Sequence, residues 1–165
     1  MSLLKAVLLA AILATSASVV SSASAAEGRW TSGYNMGQTS ANVGNGRATL
    51  IATCVDDGVQ TATSGLMLEV PGLRGGENRR VGGTVSVDGR DMVVQFERRV
   101  LDQGQVSLSW HAPARDRVLT DAWTVMLNRF RAGRSVTVRL PSQNIRETFT
   151  LTGAREALSQ CSLTV

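Results

Sequence analysis

The chain is poor in the residues that usually reveal a chemistry. Of its 165 residues only 4% are aromatic, one is histidine, two are cysteine and three are proline. His111, Cys54 and Cys161 offer too few donors for a structural zinc site, so no metal is expected. No serine stands in a Gly-x-Ser-x-Gly elbow, and the glycine-rich segment 73–83 lacks a phosphate-binding pattern. No cofactor is therefore expected. Lys5 is the only lysine, so arginine carries the positive charge. The sixteen arginines are scattered apart from Arg79–Arg80, Arg98–Arg99 and the 129–139 region. With so few aromatics between them they form no nucleic-acid-binding stripe. No apolar run reaches the roughly 18 residues that a membrane span needs.

The ends of the chain point to export. Met1 to Lys5 carries one positive charge, Ala6 to Ala14 is apolar, and Ala23-Ser24-Ala25 is a small-residue cleavage site. That order is the order of a secretory signal peptide. Residues 1–26 are expected to be removed. Without them the net charge is about +3 and the length suits a single core. Residues 27–46, rich in Gly, Ser, Asn and Thr, are expected to form an N-terminal loop or edge with Trp30 and Tyr34 as its aromatics. Residues 47–165 are expected to form one disulfide-closed domain, in the periplasm or outside the cell, with no membrane span left after cleavage.

Within that domain the apolar residues alternate. Leu50, Ala52 and Cys54 share one face, as do Leu66, Leu68 and Val70, and Val106, Leu108 and Trp110. Val85 and Val87 are joined to Met92, Val94 and Phe96 through Asp88-Gly89, a type I′ hairpin signal. Val136, Val138 and Leu140, then Phe149 and Leu151, make a final pair. Asp56-Asp57-Gly58 and Pro71-Gly72 read as turns, and 73–83 as a surface loop. Leu119, Ala122, Trp123, Met126, Leu127 and Phe130 follow the helical period instead, with Asp116 or Thr120 as cap and Gly133 at the stop. Ala154, Ala157, Leu158 and Cys161 form a second, short helical stripe. The expectation is a mainly β fold of about seven antiparallel strands with two short helices, as a β-sandwich or a partly open barrel. Both cysteines fall in phase with core residues. In an exported chain they read as one disulfide, Cys54–Cys161, against the alternative of two buried thiols.

The segment Val136-x-Val138-x-Leu140-Pro141, followed by Phe149-x-Leu151-x-Gly153 and then Ala157-Leu158-x-x-Cys161, resembles small bacterial periplasmic proteins of the invasion-associated locus B and type VI secretion accessory types. The resemblance implies a β-rich, exported, non-enzymatic protein of the envelope. The catalytic alternative is a small periplasmic hydrolase or lyase using His111 with Asp116 or Asp121. A further alternative is a secreted enzyme inhibitor acting through a loop. No catalytic residue is assigned. The candidate partner surface is the arginine group Arg129, Arg131, Arg134 and Arg139, suited to an acidic protein or an anionic envelope polymer. A second candidate is the side carrying Trp30, Tyr34 and Arg74 to Arg80.

Overall fold

The computed structural model describes residues 28–35, 38–55 and 63–161. The expected signal peptide 1–26 and the expected turn at Asp56-Asp57-Gly58 lie outside the described residues. Nine strands form one antiparallel sheet: β1 (Thr31–Asn35), β2 (Gln38–Gly44), β3 (Thr49–Val55), β4 (Thr63–Glu69), β5 (Arg79–Val87), β6 (Arg90–Val100), β7 (Val106–Pro113), β8 (Ser135–Leu140) and β9 (Ile145–Thr150). Their order across the sheet is β1-β2-β3-β4-β7-β6-β5-β8-β9. The sheet curls into a half-barrel, so of the two expected architectures the chain adopts the partly open barrel. Helix α1 (Arg117–Ala132) connects β7 to β8, and the single-turn α2 (Ala154–Ala157) follows β9.

Strand count is the main correction, nine against seven. Both extra strands lie in the expected N-terminal loop. β2 reads Gln-Thr-Ser-Ala-Asn-Val-Gly, a run of small and polar residues with little strand propensity. It is a strand because its neighbours impose one. Thr39, Ala41 and Val43 are buried in register with Cys54, Ala52 and Leu50 of β3. The 73–83 loop is also shorter than expected, since β5 begins at Arg79. Gly83 suits that strand for lack of room. A Cβ there would lie 2.9 Å from the Arg139 carbonyl oxygen and 3.0 Å from the Leu140 side chain.

The alternation within the remaining strands is as the sequence implies. Leu50, Leu66, Leu68, Val85, Phe96, Leu108, Val136, Val138, Leu140 and Phe149 are all buried in one core. α1 buries Trp123, Met126, Leu127 and Phe130 in the same core. Trp123 packs on Trp110 and Phe130 on Trp30, each with ring centroids 5.8 Å apart. Trp30 is thus a core residue, while Tyr34 stays exposed. Asp116 caps α1 by accepting the Leu119 N–H at 3.1 Å.

The gap between the two ends of the sheet is bridged by side-chain and backbone donors. The Trp30 indole N–H donates to the Thr150 carbonyl at 2.8 Å, and Trp30 N–H to the Thr152 carbonyl at 2.9 Å. Asn45 Nδ2 donates to Glu147 Oε2 at 2.8 Å and to the Thr148 carbonyl at 3.1 Å. Two of these bonds occupy the Thr148 and Thr150 carbonyls on the open edge of β9, which would otherwise invite another strand. Cys54 and Cys161 are bonded, with Cα atoms 5.3 Å apart, and the bond ties the segment that follows α2 to β3. Ala154, Ala157, Leu158 and Cys161 are all buried as expected, but the helix is shorter than expected, ending at Ala157, and a turn carries the chain on to Cys161.

Candidate binding cleft

The four candidate arginines do not form one surface. Arg131 is turned inward to the chain's own C-terminal segment. Its Nη2 donates to the carbonyls of Leu158 and Cys161, each at 2.6 Å, which satisfies the end of α2 beside the disulfide. Arg139 on β8 pairs with Asp91 of β6 at 2.7 Å across the outer face of the sheet. Arg129 and Arg134 remain, and the fold brings them to one cleft with Arg90, which the sequence did not single out.

The cleft lies between the C-terminal half of α1 and the β5–β6 hairpin and measures about 700 Å³. Val87, Val125 and Ala132 supply its apolar part, and Arg90, Arg129 and Arg134 its charge. One wall is the Asp88-Gly89 tip, where both residues have positive φ (47° and 82°) as a type I′ turn requires. Sequence spacing could identify that tip as a turn but not as a cleft wall, because its contacts lie some 46 residues further along the chain.

Among the described residues Asp88 is the only carboxylate lining the cleft, and it is already hydrogen-bonded. It accepts the Arg134 N–H at 3.0 Å, the Ser135 N–H at 3.0 Å and the Ser135 hydroxyl at 3.3 Å. The two backbone N–H donors hold its carboxyl below the ordinary 3.8, mainly the one from Arg134. The aspartate therefore fixes the hairpin to the start of β8 and forms no side-chain ion pair with the arginines among the described residues. Arg129 is half-buried, and its Nη1 is fully buried with no hydrogen-bond partner among the described residues.

Gly133 shapes the cleft floor. Its φ of −84° is ordinary, so it does not end α1 through the left-handed geometry that glycine usually supplies there. It is required for space. A Cβ would stand 2.6 Å from Val87 Cγ1 and 2.9 Å from both the Arg129 carbonyl oxygen and Leu151 Cδ1.

A second arginine group, Arg79, Arg80, Arg98 and Arg99, lines a hollow of about 300 Å³ at the other end of β5–β6. It is more nearly neutralised. Arg99 pairs with Glu97 at 2.9 Å, and Glu97 lies opposite Arg80 in the ladder. Arg98 is buried and committed to the Gln143 side chain and the carbonyls of Gly75 and Glu77. It fastens the 75–78 loop to β6.

The aromatic and arginine side proposed from sequence is not assembled. Trp30 is buried, and β1 stands six strands from β5, where Arg79 and Arg80 lie. His111 is exposed on β7, opposite Gly65 of β4. Among the described residues its side chain has no hydrogen-bond partner, and Asp116 is engaged as the α1 cap. No group of three or more His, Cys, Asp or Glu residues is placed to hold a metal among the described residues. No described helix is long and apolar enough to cross a membrane.

No curated protein and no solved structure matches the chain. A family model does match, over residues 28–158, which takes in every strand, both helices and the whole cleft. On that match the chain belongs to the YfjT family.

Proposed function

We propose that the chain is an exported, non-catalytic binding or accessory protein of the bacterial envelope, and that its arginine-lined cleft receives a negatively charged partner. One observation carries this reading. Among the described residues lining the cleft a single carboxylate, Asp88, already bonded to backbone N–H groups, stands against the three guanidinium groups of Arg90, Arg129 and Arg134, so the cleft carries excess positive charge. Guanidinium groups favour carboxylate and phosphate oxygens through charge-assisted, often paired hydrogen bonds. The leader-like N-terminus, the Cys54–Cys161 bond and the resemblance of the C-terminal segment to periplasmic proteins support the compartment.

Two measurements test it. Expressed from its full sequence in a bacterium, the chain should be recovered from the periplasm or medium, starting after Ala25 or Ala26. Recovery of the uncut chain in the cytoplasm would defeat the export part. Polyglutamate titrated into the protein should bind in a salt-sensitive way, and Arg90→Glu with Arg134→Glu should abolish that binding. Equal affinity for the double variant would remove the cleft from the proposal.

A further inference from the structure

The cleft also carries information about what kind of anion it suits. On the outward side of α1, Val118, Val125 and Ala132 recur every seven residues. Val118 is 77% and Val125 46% exposed. At 1.5 Å per residue these three side chains form an interrupted row about 21 Å long, of which Val125 and Ala132 line the cleft beside Arg129 and Arg134. A small inorganic oxyanion would use the arginines and leave the valines in water. A long acyl chain would need an enclosed slot, whereas this stripe is open and interrupted by the exposed Asp121 and Asn128. A peptide suits both features, since its side chains can rest on the valines while its backbone meets the polar positions between them.

We propose that the occupant is an extended acidic segment of a partner protein, seated with an aliphatic side chain on Val125 and Ala132 and an adjacent carboxylate on Arg129 and Arg134. The inference rests on the anion-binding reading of the cleft. Polarity along the stripe follows from charge. Asp121, in the first half of α1, repels acid there, and the cleft's own guanidinium groups lie at the other end, so the carboxylate belongs at the Arg129–Arg134 end. The C-terminal end of α1 carries partial negative charge that opposes an anion, so attraction must come from the guanidinium groups.

The test uses labelled peptides and fluorescence anisotropy at physiological salt. A repeat of Ser-Leu-Glu should bind the protein. Replacing Glu by Gln should weaken binding at least tenfold, and replacing Leu by Ser several-fold. Arg134→Ala should weaken the original peptide by roughly tenfold, the range expected for one charge-assisted contact, and Arg129→Gln similarly. Val125→Ser should mimic the loss of leucine. Arg134 and Val125 are exposed enough for both variants to fold, which an unchanged melting temperature would verify. If the Ser-for-Leu peptide binds as tightly as the original, the aliphatic requirement is overturned while anion binding stands. If phosphatidylglycerol vesicles bind through Val125 and Arg129 and the peptides do not, the partner is a lipid surface and this proposal is wrong. If neither peptides nor polyglutamate bind, the anion reading itself falls.

Discussion

Breaking the Cys54–Cys161 bond should cost this fold a large part of its stability. The bond spans 107 residues of sequence. For a loop of that length the chain-entropy relation gives about 4.8 kcal/mol at 25 °C. Net stabilities of domains this size are about 5–15 kcal/mol, so the reduced chain should retain only a small margin. Unfolding entropy of about 2.1 cal/mol/K per residue converts the loss into a melting temperature lower by about 15–20 °C. Both sulfurs belong to buried residues, so reductant should act through unfolding and not on the native state. Scanning calorimetry of the oxidised chain, and of the same chain unfolded and refolded in reductant, reads the difference directly. A Cys54→Ala, Cys161→Ala chain should resemble the reduced one. A shift below about 3 °C in both would refute the reasoning, showing that the unfolded chain gains little freedom when the bond is absent.

Three further outcomes follow from the geometry. Gly133→Ala would press a methyl group onto Val87 and Leu151 and should cost about 1–3 kcal/mol in urea unfolding; a neutral result would mean that α1 and the sheet yield there easily. Asp88 has a folded-state pKa below its unfolded value because of its backbone donors. Its contribution is therefore complete above the unfolded value and is lost as pH falls through the folded one. Asp88→Asn should be less stable than wild type at neutral pH and should lack this part of the acid-induced loss; parallel urea midpoints for the two proteins from pH 7 to pH 2 would contradict that. Asn45→Ala removes the donor that joins the β2–β3 turn to Glu147 and Thr148, and also the acceptor for two backbone N–H groups of that turn. It should cost about 1–3 kcal/mol, with faster amide exchange in β9 as its local signature.

What could be read in the sequence was what short-range spacing encodes. Period-two runs located seven strands, the helical period located α1, and the phase of Cys54 and Cys161 anticipated their bond. β1 and β2 escaped because Ser, Asn, Gly and Thr carry no apolar alternation. Their strand conformation comes from pairing with β3, a long-range effect. Gly82 and Gly83 hid the start of β5 for a related reason, since one of them is present for close approach and not for a turn. For the cleft, Arg129 and Arg134 were accessible from sequence as part of a basic region. Arg131 and Arg139 looked equivalent to them, and only the positions of Leu158, Cys161 and Asp91 show that they are otherwise engaged. Asp88 was legible as a turn residue alone, because the β8 start that meets it lies far along the chain, and Arg90 was not singled out.

The claim that most needs testing is that negative charge is received where α1 meets the β5–β6 hairpin. Backbone amide shifts recorded by NMR during a polyglutamate titration address it residue by residue. The account predicts changes concentrated at 88–90, at 125–134 and at the start of β8, all fading as salt is added. Changes centred instead on Arg79, Arg80 and Arg99, or spread evenly over the sixteen arginines, would contradict it.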